Sequence, residues 1–361
     1  MTDARYLTSL EALLEGLLKR DEPALAATIV LMQSAHQRWR TRIVLAIADL
    51  PSHLRIWALD QWFDGPWFVE RAAWWILAYL ERTHDEGLSE LVPRYRLFDR
   101  LTDLEDGAVQ VQALGWLLAR ARAGRVPEVA HETPLARSLV RWLDTDDEAL
   151  AVATLQCLVV LGVDVPTEDV NRAIDLGVKA KLREADFLGL HFGREDCALR
   201  LVEEIRRVGP WSAHAVDALS AYVVPSALDA LAPLLHARFR SDDVRIHAAT
   251  VLAAHGSPEA LEALVRFSKS KNPRRSAMGF SARVKALERR GSDAAHVALW
   301  KEVLSAPEAT RAWVLSCLSP GHPFQRMWLD QAREYGTDEE RLAVEDAMRA
   351  FLPVDGALAL L

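Results

Sequence analysis

The segment 266–290, RFSKSKNPRRSAMGFSARVKALERR, concentrates positive charge in a chain that is acidic as a whole. It holds nine Lys or Arg residues and one acidic residue, whereas the complete chain has a formal net charge of −8. Such a patch can bind an acidic protein surface or phosphates, for which arginine supplies planar, paired donors. The alternative, and the commoner fate of a charged run, is that the side chains are solvated or form salt bridges to a neighbouring layer. The side chains predicted to bind are Lys269, Lys271, Arg274, Arg275, Arg283, Lys285, Arg289 and Arg290.

A second candidate surface is the tryptophan-rich stretch 57–75, WALDQWFDGPWFVERAAWW. Because Trp offers a large rigid surface with one polar handle, Trp62 and Trp67 are predicted to line a groove. Trp74 and Trp75 are adjacent and project about 100° apart on a helix, which directs at least one of them into the core. Filling space between helical layers is the competing and commoner role. It is the role predicted for Trp116, Trp142, Trp211, Trp300, Trp313 and Trp328.

Metal-binding and catalytic patterns are weak in this chain. His191 and Glu195 are four residues apart and could share a helix face as two ligands, but Gly193 between them favours a turn and no third ligand is identifiable. The chain shows no glycine-rich phosphate loop and no Gly-x-Ser-x-Gly nucleophile elbow. We therefore expect no catalytic residue, no metal and no cofactor.

The composition predicts a protein away from membranes. Half of the 361 residues are hydrophobic, which is enough for a large core. The first residues mix acids into their apolar positions and predict an amphipathic helix, and no stretch has the roughly 18 to 20 uninterrupted apolar residues that cross a bilayer. Cys157, Cys197 and Cys317 lie far apart, so we predict buried free thiols. We expect the protein in the cytoplasm.

Helical spacing of apolar residues dominates the chain. It is seen in LTSLEALLEGLL, AVQVQALGWLLARA and EALAVATLQCLVVLG, while period-two alternation bounded by hairpin turns is nearly absent. Pro and Gly interrupt the pattern at short intervals, as at Gly209-Pro210, Gly256 and Pro273. The pattern predicts an all-α protein of short helices joined by tight turns.

A repeat is visible in the second half of the chain. The stretch AVDALSAYVVPSALDALAPLL (215–235) aligns without a gap with AATVLAAHGSPEALEALVRFS (248–268) after a shift of 33 residues. Each unit predicts an Ala-rich helix, a tight turn and a second helix, and one unit alone could not hide its apolar face, so stacking is obligatory. The aligned pairs are Leu219 with Leu252, Pro225 with Pro258, Ala227-Leu228 with Ala260-Leu261, and Leu231 with Leu264. A further shift of 35 aligns Leu252 with Leu287 and Gly256-Ser257 with Gly291-Ser292.

The stretch DDVRIHAATVLAAHGSPEALEALV (242–265) resembles a HEAT-like repeat of the type also found in phycobilin lyases. The likeness runs over about 210–304 and includes the acidic turn, Val244-Arg245 and the glycine turn. The resemblance implies an α-solenoid of stacked antiparallel helix pairs, with the helix beginning near Val244 on the concave side and the helix after Gly256 on the convex side. It implies a fold and leaves the function open.

The expected organisation is one elongated HEAT-like superhelix over 1–361. Residues 1–100 would form degenerate tryptophan-rich repeats, 101–304 the HEAT-like repeats, and 305–361 capping helices. In repeat register, Ser276 to Arg290 forms one helix, and Lys269 to Arg275 forms the connection that leads into it. Three apolar residues at helical spacing should be the buried stripe of that helix: Phe280, Val284 and Leu287.

The predicted function is non-enzymatic binding of a protein partner, for which an acidic surface would be suitable. A concave groove of rigid helices would serve an adaptor, a regulatory subunit or a toxin-neutralising protein. The alternative is a HEAT-like repeat enzyme or DNA-binding protein, similar to DNA glycosylases or bilin lyases, that uses the segment 266–290. RWRTR (38–42) and RYRLFDR (94–100) would extend a phosphate track, but a pI near 5.8 disfavours nucleic acid. HEAT-like hydroxylases carry repeated His-Glu pairs, and the sole such pair here is His131-Glu132.

Overall fold

A computed structural model describes most of the chain from residue 92 onward and parts of the preceding region. Within the described residues the chain is α-helical with one 3-10 turn and no strand, which confirms the predicted all-α class. None of the described helices is long and apolar enough to cross a membrane. The side chains of residues 52, 62–64, 289 and 290 lie outside the description. The described residues are 15–16, 18–20, 24, 45, 47, 50–64, 73–74, 77–78, 80–81, 92–126, 133–237, 240–290 and 292–350.

The chain forms two compact units, Met1–Ala185 and Asp186–Leu361. In the first unit the helix Gly107–Arg122 packs against Glu148–Val160, and Leu97–Thr102 packs against Pro134–Trp142, so helices that alternate in sequence contact each other. The described helices of this unit are α1 (Ser52–Asp64), α2 (Leu97–Thr102), α3 (Gly107–Arg122), α4 (Pro134–Trp142), α5 (Glu148–Val160) and α6 (Thr167–Lys179), and α7 (Arg183–His191) crosses the boundary.

The second unit contains a row of helices in which each member packs against the next. We call these helices, which begin at Ser212, Asp242, Pro273, Glu308 and Asp338, the helix row, and the intervening helices pack beside it. The described helices of this unit are α8 (Glu195–Arg207), α9 (Ser212–Ala221), α10 (Pro225–Leu231), α11 (Asp242–His255), α12 (Pro258–Ser268), α13 (Pro273–Arg290), α14 (Asp293–Leu304), α15 (Glu308–Ser316), α16 (Pro323–Tyr335) and α17 (Asp338–Ala350), with a 3-10 turn at Ala232–Leu235.

Side-chain bonds between first turns show that the helices of the row run in the same direction. At the C-terminal ends of the helices, the His255 ring on α11 forms a hydrogen bond with the Leu219 carbonyl on α9 over 2.6 Å. This bond places the last turns of these two helices together. The row is therefore parallel and in register. The bonds between first turns join Arg274 to Asp242 (3.3 Å), Thr310 Oγ1 to the Pro273 carbonyl (3.4 Å) and Arg311 to Glu340 (2.5 Å).

Positions that align in the sequence repeat have matching environments in the structure. Leu219 and Leu252 are buried on the first helix of their respective sequence repeats, and Leu231 and Leu264 are buried on the second helix. The prolines of the two motifs begin α10 and α12. The 33-residue shift therefore relates structurally equivalent positions.

Gly256, Ser257 and Ser292 cap helices as the sequence indicates. Gly256 ends α11 with φ of +58°, a conformation that glycine adopts without strain. The Ser257 hydroxyl then accepts a hydrogen bond from the amide of Ala260, and Ser292 accepts one from Ala295, so each serine satisfies a free amide at a helix start.

Helix α13 approaches the backbone of α12 at Gly279. A Cβ built there would lie 2.5 Å from the amide nitrogen of Ser268 and 2.7 Å from its Cα. The hydroxyl of Ser276 also donates to the Ser268 carbonyl over 2.6 Å. Glycine in a helix interior costs about 0.5–1 kcal/mol relative to alanine, so its presence here reflects the close approach.

The predicted buried stripe of α13 is confirmed. Phe280 and Val284 are buried and Leu287 is partly buried, and all three belong to the core that α13 shares with α14 to α17. In the same core His296 is 3% exposed and its ring stacks on Phe324, with centroids 4.8 Å apart. The spacing of apolar residues thus predicted the inner side of this helix correctly.

The first unit buries a pair of tryptophans and a carboxylate. Trp74 and Trp116 are buried with ring centroids 5.3 Å apart, which confirms that at least one of Trp74 and Trp75 points into the core. The buried carboxylate of Glu81 accepts hydrogen bonds from Arg120 at 3.0 Å and Arg125 at 3.1 Å. A paired carboxylate of this kind is stable in a core only while its cations stay in place.

Two predictions about buried residues are wrong in part. Trp116, Trp142, Trp300 and Trp328 are buried as expected, but Trp211 and Trp313 are 38% and 37% exposed. The spacing of Trp residues indicates helices without indicating which side of a helix faces solvent.

Cys317 is exposed, contrary to the expectation of buried thiols, because it follows the last residue of α15 at the surface. Cys157 and Cys197 are buried as expected. Burial raises the pKa of Cys157 to about 12 and that of Cys197 to about 11.

Replacing Gly279 by alanine is expected to lower the free energy of unfolding of the second unit by about 1–3 kcal/mol, because the new methyl group overlaps the Ser268 backbone. Gly115→Ala is the matched control: Gly115 also lies inside a helix, but its Cβ would meet nothing within 4 Å. That substitution should stabilise by up to about 1 kcal/mol. Urea denaturation followed by circular dichroism measures both, and equal effects of the same sign would contradict the close approach.

The buried ring of His296 predicts that acid destabilises the second unit. Burial, and next the nearby His322, lower the pKa of His296, while Asp293 and Glu288 oppose the shift. Between the lowered folded pKa and the unfolded value of about 6.5, the unfolded chain binds more protons, so stability falls as the pH drops through this window.

His296→Phe should remove part of that pH dependence while keeping the stacked ring. The measurement is the urea midpoint of both proteins between pH 7.5 and 5. His236, whose pKa is lowered by burial and then by Arg266, leaves a residual slope in both proteins. An unchanged slope in the variant would show that His296 does not bind the proton.

Candidate functional site

The helix within the basic segment 266–290 begins earlier than the sequence analysis predicted. Helix α13 starts at Pro273 and not at Ser276, so the connection shrinks to residues 269–272, and Arg274 and Arg275 lie in the first helical turn. Proline suits this position because its fixed φ is helical and it lacks an amide that would be unbonded there. The Asn272 side chain caps the turn by accepting from the amide of Arg275 at 3.1 Å.

The first turn of α13 carries charges of the unfavourable sign. The partial positive charge at a helix start favours acids, and α11, α15 and α17 each begin with Asp or Glu. Helix α13 has no acid in its first turn and instead has Arg274 and Arg275. The stability of α13 alone therefore does not explain why arginines occupy its first turn. Their contacts with other helices must explain it.

Arg274 bridges three successive helices of the row. Its Nε lies 3.3 Å from Oδ2 of Asp242 on α11, and its guanidinium carbon lies 5.9 Å from the ring centroid of Trp313 on α15. The Arg274 side chain nevertheless remains 61% exposed. A guanidinium over an indole face is a favourable arrangement that fixes both groups at the surface.

Asp242 serves a second arginine that the sequence analysis did not single out. Its Oδ1 accepts from Arg245 at 3.2 Å, and Arg245, 1% exposed, also donates to the carbonyls of Ala237 and Arg240. Burial, and next the charge of Arg275, lower the pKa of Arg245. The half-buried Arg275 thus lies within electrostatic reach of this arginine, and the region holds an excess of positive charge.

The buried Arg245 has a counterpart two helices further along the row, on α15. Arg311 on α15 donates to the carbonyl of Ala306 at 2.8 Å, just as Arg245 donates to the loop that precedes α11. Both are the fourth residue of their helix, in DDVR and EATR. An arginine at this position after an acidic start is the sequence signal that would have identified them.

Arg283 fulfils the alternative interpretation of the basic segment, a salt bridge to a neighbouring helix. Its two terminal nitrogens lie 2.7 and 3.0 Å from the carboxylate oxygens of Glu302 on α14, and one of them also donates to the Ser268 hydroxyl. The Arg283 side chain is 13% exposed and its guanidinium lies over the Phe280 ring. The hydrogen bonds from Arg283 lower the pKa of Glu302.

A surface cavity of about 560 Å³ adjoins this ion pair. The end of α12, the connection 269–272, α13 and the end of α14 form its walls, so Lys269 and Arg283 reach it from different elements. Serine hydroxyls supply much of the remaining polar lining. The structure therefore brings these two predicted residues together, while it places Arg274 on the side of Asp242 and Trp313.

The remaining predicted residues are not gathered into one patch. Lys271 is exposed in the connection, and Lys285 is exposed further along α13. The side chains of Arg289 and Arg290 lie outside the described residues, as do the Trp62 side chain and the whole of Trp67. Within the described part of the chain, the basic segment is thus divided among separate environments.

The turn predicted between His191 and Glu195 is confirmed. His191 ends α7, Glu195 begins α8, and Gly193 between them has φ of +76°. The His191 ring bonds the hydroxyl of Tyr222 over 2.8 Å. No group of three or more His, Cys, Asp or Glu side chains that could hold a metal occurs among the described residues.

Comparison with known proteins gives little guidance. No family model matches the chain, and no curated protein matches it. One similar solved structure is described as an engineered protein, a target of the Northeast Structural Genomics Consortium. It is 17% identical over 91% of this chain and 78% of that chain, with a TM-score of 0.32. A likeness of this size carries no argument about fold or function.

Asp242→Asn is expected to lower the free energy of unfolding by about 1–2 kcal/mol, because the buried Arg245 loses the carboxylate that balances its charge. Asp243→Asn is the control, since the neighbouring exposed carboxylate contributes only to the helix start, about 0.3–0.5 kcal/mol. Chemical denaturation at pH 7 measures both variants. If they were equally stable, the carboxylate of Asp242 would not be needed to balance the buried Arg245.

Proposed function

We propose that the chain is a non-catalytic repeat protein that binds a protein partner through its second unit. The contact surface is the open side of the helix row, meaning the side of α11, α13 and α15 that neither the row neighbours nor the intervening helices cover. The observation that carries this proposal is the exposed Trp313, held against Arg274 across two helices of that row.

Large apolar side chains are exposed on helices of the row. Ile246 on α11 is 40% exposed, Trp313 on α15 is 37% exposed, and Leu342 on α17 is 58% exposed. Helix α13, between the first two, contributes Arg274 and Lys285. Trp and Arg are the residues most enriched at binding hot spots, where they are surrounded by contacts that exclude water. The exposed side chains of these helices thus suit a protein surface that is both acidic and partly apolar.

The acids on the same helices disfavour a nucleic acid partner. Asp242 and Asp243 begin α11, and Glu308 begins α15, on either side of the arginines of α13. A phosphate backbone needs several cations along a continuous track. Alternating charge along the row would repel such a backbone, whereas a protein surface can match it residue by residue.

The mechanism follows from the rigidity of the side chains that would make contact. Arg274 is already held by Asp242 and Trp313, so less rotamer entropy is lost when a partner binds. A carboxylate of the partner would approach the exposed guanidinium while an apolar side chain covers the indole. Charge then fixes the orientation of the complex, and the buried apolar area supplies most of its affinity.

The scaffold that we propose for this function is a HEAT-like solenoid. The 33-residue repeat, the parallel helix row and the equivalent serine caps at Ser257 and Ser292 support it. In such an arrangement the row would form the concave side and α12 and α14 the convex side. The open side of the row would then be the groove.

An aromatic photo-crosslinking amino acid at position 313, which keeps a large ring against Arg274, tests the proposal in the native cell. We expect one protein to be captured from position 313 and not from Met327, which is 48% exposed on α16 outside the row. With that partner purified, Trp313→Ala and Arg274→Glu should each weaken binding at least about tenfold, as hot-spot residues do. Met327→Ala should leave the affinity unchanged.

Two results would contradict the proposal. The first is the same set of captured proteins from positions 313 and 327, which would show non-specific contact. The second is binding of a mixed-sequence DNA duplex at physiological salt that Arg274→Glu abolishes, which would favour the nucleic acid alternative.

A further inference from the structure

The cavity between α12, α13 and α14 is independent of the open side of the row and has its own chemistry. It measures about 560 Å³ and is lined by two cations, Lys269 and Arg283, and one carboxylate, Glu302. Arg283 and Glu302 neutralise each other across a bidentate pair. The charge of Lys269 is therefore in excess within the cavity, and no described acid forms a salt bridge with it.

Arg283 is prearranged to hold a second planar or tetrahedral oxyanion. The Ser268 hydroxyl accepts from Nη1, and the Phe280 ring lies against the guanidinium, so the side chain has one fixed position. Only three of its five N–H groups are needed for the bonds to Glu302 and Ser268. The two remaining N–H groups are available to a further oxygen atom. Because the guanidinium is held in place, an external oxyanion can replace the Glu302 carboxylate on it without moving the arginine.

Glu302 holds the arginine from an unfavourable position. It lies in the last turn of α14, where the partial negative charge of the helix end repels a carboxylate. Its side chain is 47% exposed, so it can turn away into water. Among the described residues, the carboxylate of Glu302 forms its hydrogen bonds with Arg283 alone. An incoming oxyanion could contact Lys269 and the hydroxyl of Ser270 as well as Arg283.

Ser270 can add a hydrogen bond to such a group. Its oxygen accepts from the amide of Asn272 at 3.3 Å, which leaves the hydroxyl hydrogen for an anion in the cavity. The hydroxyls of Ser268, Ser276 and Ser305 instead donate to backbone carbonyls. The donors directed to a ligand are therefore Lys269, Ser270 and the guanidinium.

We propose that this cavity is a phosphate-binding site in which Glu302 occupies Arg283 until a phosphate group displaces it. The ligand class is a phosphate, either free or as a phosphoryl group on a larger molecule. The ammonium of Lys269 and the hydroxyl of Ser270 bind its oxygens, and Arg283 donates the paired bonds that Glu302 releases.

Isothermal titration with sodium phosphate at constant ionic strength, using the full chain, tests the site through opposite effects of two variants. Glu302→Gln removes the internal competitor and should tighten phosphate binding about tenfold. Lys269→Ala should weaken it at least about fivefold. Lys285→Ala removes another exposed cation of the same segment, outside the cavity lining, and should change the affinity less than about twofold.

The outcomes separate a site from general attraction to a basic surface. Equal weakening by Lys269→Ala and Lys285→Ala would overturn the proposal, because the cations would then act only through net charge. Unchanged or weaker phosphate binding by Glu302→Gln would overturn it as well. The thermal midpoint provides a second measure, since phosphate should raise it more for wild type than for Lys269→Ala.

Titration with O-phosphoserine distinguishes the two sources of the group. Tighter binding than inorganic phosphate indicates a phosphorylated side chain, and weaker binding indicates the free ion. Neither result depends on the protein partner proposed above, because both titrations use the purified chain alone.

Discussion

The second unit depends on the bonds that join the first turns of successive row helices. Asp242 holds Arg245 of its own helix and Arg274 of the next, and Arg311 joins α15 to Glu340 on α17. Apolar packing alone would allow parallel helices to slide along each other, since leucine and alanine surfaces are similar from turn to turn. The charged pairs that join α11 to α13 and α15 to α17 lie at the helix starts and therefore favour one register. The close contact at Gly279 adds a steric limit to the same alignment.

The sequence predicts most of the fold and only part of the candidate site. Apolar spacing identified the helices, the 33-residue shift identified equivalent positions such as Leu219 and Leu252, and the stripe through Phe280 and Val284 was correct. The exposure of Trp313 was not predictable, because a helix in a row has buried neighbours on several sides and periodicity does not show which side is open. The salt bridge of Arg283 to Glu302 was foreseen only as an alternative, since one sequence does not reveal which acid lies opposite.

The concentration of positive charge in an acidic chain has a physical explanation in this structure. The charges whose side chains the structure describes do not form one patch, because α13 lies between α11 on one side and α15 on the other and each side receives a different subset. Arg274 stabilises the junction of three helices, Arg283 pairs with Glu302, and Lys269 faces a cavity. A short segment that must bind to several acidic neighbours needs many cations. Among the described residues, unbalanced positive charge remains where such acidic neighbours are absent, as at Lys269.

The exposed thiol of Cys317 is a site for attaching a fluorescent dye. It lies four residues after Trp313, so the two side chains share one side of the end of α15. Cys157 and Cys197 are buried and their thiols stay protonated at neutral pH, as their raised pKa values require. A maleimide dye would therefore attach at one place among the described cysteines without any substitution. Indole quenches many such dyes on contact, so the brightness of the label would report whether the tryptophan beside it is free or covered.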